Sequence, residues 1–493
     1  MYRRPDDFGT ALADRLDPPS TGMAAYRDRP ADFVNECFTW KRNREPAFYQ
    51  LENLELLVEH KRLCVRGPHG LGKTTTEAWA VLWFALTRDA AGEDWKIPTT
   101  ASAWRQLTKY LWPEIHKWSK VLRWDRVERD PFTKLELMTL NLKLRHGEAF
   151  AVASSDPASI EGAHADQVLY IYDEAKAIPA KTYDATEGAF SGAGDDTANE
   201  AYALASSTPG EPSGRFYEIQ KRAKGLEDWH AVHVKKEDTV KAGRVSLEWA
   251  EQRKRQWGAE SAVYLNRVEG EFASAEEDGV IPLGWVELAN ERWLQLADEG
   301  KIDGGILIGA ELEACGVDVA TTGKDKTVIA RRFSAVIAEI RHTSKEDTME
   351  TTGRVQAAVH GTNAMPIIDV LNMGKGVVDR LRELGRPCVA FNASAGSKKR
   401  DSTGEFGFVN CRAAAWWNMR ELLDPESLAD VAIPPDDLLT GDLTTPKWKV
   451  MSGGNIQIES KDDIKKRIGR STDDGDAVIQ AFWEGERTSW RPL

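Results

Sequence analysis

Residues 67 to 74, Gly-Pro-His-Gly-Leu-Gly-Lys-Thr, carry the pattern GxxxxGK[ST]. They lie between a short apolar run, RLCVRG, and a helical one, TTTEAWAVLWFALTRD. Glycines in this context let backbone amides turn inward onto phosphate oxygens. The lysine reaches the β and γ oxygens, and the threonine hydroxyl faces Mg²⁺ at the positive end of the helix. The candidate ATP-binding cradle is therefore Gly67, Gly70, Gly72, Lys73, Thr74 and Thr75, with ATP and Mg²⁺ as its cofactors. Further along, the apolar segment VLYIYDEA ends in Asp173 and Glu174. That placement delivers Asp173 to the Mg²⁺ shell and Glu174 toward the γ-phosphate, where it polarises a water, which is the arrangement of a hydrolase more than of a kinase. The segment ALASSTPG then ends in the hydroxyl residues Ser206, Ser207 and Thr208, a pattern that is also an ordinary strand exit.

A second set of acids lies in the other half. Asp318 in CGVDVATTGKDKT and Asp369 in MPIIDVL are polar residues within apolar strand patterns. An ionised carboxylate is costly to bury without a cation or hydrogen bonds, so two such acids suggest a metal site. In GRSTDDGDAVIQAF, Asp473 and Asp476 are spaced to share one face at the start of a helix. Convergent carboxylates of this kind are what two-metal phosphodiester hydrolysis requires, with Mg²⁺ or Mn²⁺ as the ions.

These residues must be positioned by a long chain. Its 493 residues correspond to about two to four domains, and the 41% apolar content is enough for sizeable cores. No apolar run is long enough to cross a bilayer, and the N-terminus lacks the apolar core of a secretory signal. A soluble, intracellular protein is expected. The five cysteines are scattered without a CxxC pair, which argues against a disulfide framework or a zinc site and for buried thiols. The net charge of −13 is unfavourable for generic polyanion binding, although basic clusters such as EQRKRQW and KKRIGR leave room for a basic groove. Trp79, Trp83, Trp416 and Trp417 sit on helical patterns and are expected to pack in cores.

Strand patterns alternating with helical ones predict an α/β fold whose first half is a parallel sheet with crossover helices. The expected organisation is a flexible segment over 1–30, a P-loop ATPase domain over 31–240, a helical subdomain or linker over 241–300 and a mixed-sheet domain over 301–493. In the last of these, ILIGAELEACGVDVA, KTVIARRF and AVIAEIRH read as a strand meander, followed by alternating helices and strands.

The ordered set RGPHGLGKTT, SIEGAHADQVLYIYDEA, SSTPGEPSGRFYE, GVDVATTGKDKTVIA, IIDVLNMGKGVVDRL and KKRIGRSTDDGDAVIQAF resembles the large terminase subunits of tailed bacteriophages. The resemblance implies an additional-strand P-loop ATPase that pumps double-stranded DNA into a procapsid, followed by an RNase H-like nuclease that cuts concatemeric DNA. Carried over residue by residue, Gly67, Gly72, Lys73 and Thr74 are Walker A, Asp173 the Walker B acid and Glu174 the catalytic glutamate. Ser207 and Thr208 fall in the coupling motif, Gln50 in FYQ at the adenine-reading position, and Asp318 and Asp369 match the first two nuclease acids. Asp473 or Asp476 would be the third, ahead of Asp474. His69 stands in a loop where many relatives carry arginine, which leaves Arg66 and Arg215 as arginine-finger candidates. The implied partners are DNA, a portal protein and a small terminase subunit, with a homo-oligomeric ring on the portal, a monomer in solution and action in the host cell cytoplasm. The competing expectation is a helicase-like or repair ATPase with a non-cleaving RNase H-like domain.

Overall fold

The computed structural model describes residues 22–41, 44–193, 199–273, 279–320, 326–343, 347–371, 373–451 and 453–485. The chain divides into two compact units, one of residues 1–209 and 213–245, the other of residues 210–212 and 246–493.

The first unit is built on an eight-stranded sheet. Its strands are β1 (Arg62–Arg66), β2 (Trp95–Ala101), β3 (Leu137–Met138), β4 (Asn141–Lys143), β5 (Gly147–Ala153), β6 (Gln167–Asp173), β7 (Glu200–Ser207) and β8 (His230–His233). Their order is β3-β4-β5-β2-β6-β7-β1-β8, parallel except at the β3-β4-β5 edge. One strand, β7, stands between the strand that enters the glycine loop and the strand that ends in Asp173, as the additional-strand arrangement requires. β6 is buried along its whole length, which explains its unbroken apolar run. The helix Lys73–Ala91 packs on the sheet through a buried stretch that includes Trp79, Trp83 and Phe84.

β2 is not apparent from the sequence pattern because Pro98 interrupts it. The structure accommodates the proline where pairing lapses: β2 runs continuously against β5, but toward β6 its pairing skips Ile97 and Pro98. The expected flexible segment is fixed from Gly22 onward. Met23 is buried, the Trp83 indole donates to the Tyr26 carbonyl oxygen at 2.7 Å, and Arg27 pairs with Glu93 and Glu200. The earlier residues of that segment lie outside the described ones.

The second unit contains the helices Leu247–Trp257 and Leu283–Asp298, which come from the stretch read as a linker. A two-residue hairpin follows, β9 (Ile302–Asp303) and β10 (Ile306–Leu307), so the apolar run after residue 305 divides before the sheet begins. The main sheet comprises β11 (Ala314–Asp318), β12 (Thr327–Phe333), β13 (Val336–Thr343), β14 (Met365–Asp369) and β15 (Val389–Phe391). Its order is β13-β12-β11-β14-β15, with the first three strands antiparallel and the last two parallel to β11. This is the mixed sheet expected from the strand meander and the alternation that follows it. A small sheet of β16 (Gly407–Phe408), β17 (Trp448–Val450) and β18 (Asn455–Ile458) lies in the same unit.

The helix Asp473–Ala481 crosses β11 at very close range. A Cβ at Gly316 would lie 1.9 Å from the Ala477 carbonyl oxygen, so only glycine permits the approach. Trp416 is fully buried and Trp417 nearly so, as core residues. Among the described residues no helix is long and apolar enough to cross a membrane. Cys37, Cys64, Cys315 and Cys411 are buried and Cys388 is half-buried.

Candidate functional sites

In the first unit, β1 runs into the glycine loop, which turns through left-handed backbone at Gly70 (φ 81°) and Gly72 (φ 86°). A Cβ at Gly67 would meet Leu71 Cδ2 at 2.5 Å and the Val234 carbonyl oxygen at 2.8 Å, so the cradle depends on glycine at its first position as well. Lys73 Nζ donates to Thr208 Oγ1 at 3.5 Å. Glu174, in left-handed backbone at φ 48°, accepts from Ser207 Oγ at 3.0 Å. Sheet register explains both contacts: Ser206 pairs with Asp173 on β6, and Ser207 pairs with Arg66 on β1. The structure therefore brings together Lys73, Asp173, Glu174, Ser207 and Thr208. Thr75 instead turns to Glu114, to which its hydroxyl donates at 2.8 Å.

Glu77 has no counterpart in the sequence reading. It lies one helical turn beyond Lys73, is fully buried, and accepts from Ser206. Burial raises the carboxyls of both Glu77 and Asp173, the latter to about 7; the Asp173 and Glu174 charges raise Glu77 further and the Glu174 charge raises Asp173, whereas hydrogen bonding with Glu77 and the Lys73 charge pull Asp173 down. One oxygen of Asp173 is buried without a hydrogen-bond partner. A glycine cradle, a lysine and an unsatisfied buried carboxylate oxygen fit a nucleotide triphosphate with a hard divalent cation.

Gln50 and Tyr49 begin the helix Phe48–His60 and both reach the loop. Tyr49 Oη donates to the Leu71 carbonyl oxygen at 3.0 Å, and Gln50 Nε2 donates to the Gly72 carbonyl oxygen at 3.1 Å. Of the arginine-finger candidates, Arg215 is paired with Asp184 at 2.8 Å and Glu218 at 3.4 Å.

In the second unit, Asp318 and Asp369 end adjacent parallel strands, whose register runs from Ala314↔Met365 to Val317↔Ile368. Because helix Asp473–Ala481 lies against Gly316, its first turn brings Asp473 and Asp476 to the same end of the sheet. A cavity of about 160 Å³ is lined by Asp318, Asp369, Asp473 and Lys461, and a neighbouring one of about 620 Å³ by Asp369, Asp476, Lys461 and Arg412.

Lys461, the first residue of the helix Lys461–Ile468, was invisible as a site residue in the sequence. Its Nζ lies 2.8 Å from Asp318 Oδ1, 3.2 Å from Asp476 Oδ2 and 3.9 Å from Asp473 Oδ1. It is the cation that the carboxylates hold in this structure, and among the described residues no group of three acidic, histidine or cysteine side chains is gathered tightly enough to hold a metal ion.

Burial pushes the Asp318 carboxyl well above the usual range, against the pull of Lys461. Burial opposes ionisation of Asp476 too, but Lys461 and Arg412, with hydrogen bonds from Thr472 and Trp416, bring it below. Thr472 Oγ1 donates to Asp476 Oδ2 at 2.8 Å and Trp416 Nε1 to Oδ1 at 3.0 Å. Asp369 is raised by burial, partly offset by the Leu371 amide, which donates to it at 3.0 Å. An all-carboxylate donor set is the chemistry a hard divalent cation takes.

Asp474 points elsewhere. His342 Nε2 lies 2.8 and 2.9 Å from its two oxygens, while the backbone amides of Asp474 and Gly475 donate to Asp442, itself paired with Arg470. Asp442, pushed up to about 7 by burial, thus caps and fixes the helix that presents Asp473 and Asp476.

No protein-family model matches the chain. A curated relative, the probable terminase large subunit of Enterobacteria phage P7, is 25% identical over 342 residues, 64% of this chain. The match spans 63% of that relative's length. Among solved structures, the nuclease domain of the large terminase subunit of bacterial virus Sf6 is similar at 18% identity, over 41% of this chain and 98% of that one, with a TM-score of 0.33. The large terminase of the thermophilic bacteriophage D6E in complex with ATP-gamma-S is similar at 11% identity, over 92% of this chain and 98% of that one, with a TM-score of 0.37. The chain is thus similar to the large terminase subunits that its motifs resemble.

Proposed function

We propose that this chain is the ATP-hydrolysing subunit of a viral DNA-packaging motor that also cuts DNA through its second unit. The observation that carries the reading is that one chain holds a glycine cradle backed by Asp173 and Glu174 in one compact unit and a buried carboxylate cluster in the other. Burying this many carboxylates is costly, and a bound cation or phosphate group would offset that cost in each unit.

In the first unit Lys73 would bind the β and γ oxygens of ATP, and Thr74 and Asp173 would hold Mg²⁺. The ion, when bound, neutralises phosphate charge. Glu174 accepts the proton of the attacking water. Ser207 holds the Glu174 carboxylate through its hydroxyl, and Thr208 holds Lys73, so neighbouring residues on one strand exit touch both the base and the phosphate-binding cation. A change at the γ position therefore reaches the segment after β7, the device by which hydrolysis would be passed to a DNA-gripping element.

In the second unit Asp318, Asp369 and Asp476, with Asp473 beside them, would hold Mg²⁺ or Mn²⁺, which supplies activation of the attacking oxygen and stabilisation of the leaving one. Lys461 offsets part of the cluster's negative charge, and Arg412 and Trp416 fix the Asp476 carboxylate. The partners in this reading are double-stranded DNA, a portal protein and a small terminase subunit, with copies of the chain in a ring on the portal in the host cell cytoplasm.

The alternative is a DNA-dependent ATPase of the helicase or repair kind whose second unit does not cleave. One observation favours it: Lys461 already supplies the cluster's positive charge. Nicking of supercoiled plasmid in Mn²⁺ by the full chain, alongside ATP turnover with and without DNA, separates the two. Cleavage supports the packaging reading, and DNA-stimulated turnover without cleavage supports the alternative.

A further inference from the structure

The side-chain amide of Gln50 has two N–H donors and a carbonyl oxygen with two acceptor sites. Its nitrogen donates to the Gly72 carbonyl oxygen and to Thr76 Oγ1, both at 3.1 Å. Its oxygen accepts from the Ala47 amide at 3.0 Å and from the Arg244 guanidinium at 3.4 Å. Every hydrogen-bonding position of this amide is thus taken by the protein, and the residue is only 1% exposed. An adenine edge presents a donor and an acceptor, and to pair with both Gln50 must give up a bond from its nitrogen to Gly72 or Thr76 and one at its oxygen from Ala47 or Arg244. Tyr49, next to it and equally buried, sends its hydroxyl to the Leu71 carbonyl oxygen at 3.0 Å. Two successive side chains therefore grip two successive carbonyls, Leu71 and Gly72, just before Lys73. The fit is close: a Cβ on Gly72 would lie 2.7 Å from Gln50 Nε2.

We infer that Gln50, with Tyr49, is a positioning residue that holds the phosphate loop and does not read the nucleotide base, so that it contributes to triphosphate binding equally for every base. The inference rests on the nucleotide-binding reading of the first unit. Its consequence is that loss of the amide loosens the loop beneath the phosphates while leaving discrimination between bases untouched.

The test is calorimetric binding, in Mg²⁺, of three probes to the full chain and to Gln50→Ala and Tyr49→Phe: ATP, GTP and inorganic tripolyphosphate. The expected result is that Gln50→Ala weakens all three by the same factor, about tenfold, and that Tyr49→Phe weakens all three by a smaller common factor of about threefold. The ratio of ATP to GTP affinity stays at the parent's value. Selective loss of ATP binding with tripolyphosphate unchanged would make Gln50 a base reader and overturn the inference. Unchanged affinity for all three probes would overturn it equally. Should Gln50→Ala not fold, Tyr49→Phe, which removes one oxygen, still decides through its effect on tripolyphosphate. If the parent binds neither ATP nor tripolyphosphate, the failure lies in the nucleotide reading itself, and that is seen before any variant is made.

Discussion

Replacing Lys461 by methionine keeps the volume of its stem and removes the charge that lies 2.8 Å from Asp318 and 3.2 Å from Asp476. Both aspartates are almost fully buried, whereas the Lys461 side chain is 31% exposed. Removing one partner of a fully buried pair costs about 3–5 kcal/mol, and the partial exposure of the lysine lowers this to roughly 2–4 kcal/mol. An independent limit comes from protonation. Asp318, already raised by burial, escapes its unpaired charge by taking up a proton, which at pH 7 costs about 1.4 kcal/mol per unit above its unfolded pKa near 3.9, or roughly 4 kcal/mol at most. At pH 5 the same limit is about 1.5 kcal/mol. The sign follows from the direction of the shift: a carboxyl whose folded pKa is raised favours the folded state more as pH falls. The damage in Lys461→Met is therefore largest near neutrality and shrinks toward pH 5. Scanning calorimetry of the full chain should show one transition lowered by roughly 5–12 °C at pH 7 and by less than half of that at pH 5. Mn²⁺ should raise that transition more in the variant than in the parent, because the ion no longer competes with the lysine. An unchanged transition at pH 7, or an equal loss at both pH values, would refute the claim that Lys461 serves as the cluster's counterion.

Glu174→Gln should bind ATP with the parent's affinity and lose at least about a hundredfold in turnover, the contribution of a positioned base, measured by calorimetry and phosphate release. Gly316→Ala should destabilise the second unit by about 3 kcal/mol or more, seen in calorimetry, because its Cβ would overlap the Ala477 carbonyl oxygen at 1.9 Å. Asp476→Asn should lower the same transition more than Asp473→Asn does, since Asp476 is held by Trp416, Thr472 and Lys461 whereas Asp473 touches Lys461 only at 3.9 Å.

The parts of the sites that were legible in the sequence are those in which chemistry and local structure coincide. The glycine loop sits between a strand and a helix, and Asp173 and Asp318 end apolar strands, so the pattern of burial itself marks them. The strand meander and the following alternation gave the mixed sheet for the same reason. What could not be read depends on contacts between distant segments. Lys461 belongs to a charged amphipathic helix and is indistinguishable in sequence from Lys465 or Lys466, and only the approach of its helix to β11 selects it. Asp442 and Glu77 are likewise defined by what lies above them, not by their neighbours in the chain. Cα geometry was the hidden signal at Gly316: a glycine in the middle of a strand announces a close backbone approach, and this one marks where the Asp473–Ala481 helix crosses. Pro98 concealed β2 because a proline within an interior strand argues against a strand unless the pairing around it lapses, as it does here.

The central claim, that one chain joins an ATPase to a nuclease, is tested most directly by adding supercoiled plasmid to the full chain in Mn²⁺ and comparing it with Asp318→Ala. Nicked and linear DNA are expected with the parent, intact plasmid with Asp318→Ala, and the same ATP turnover from both. Equal cutting by the two proteins, or no cutting by a folded parent that hydrolyses ATP, would contradict it.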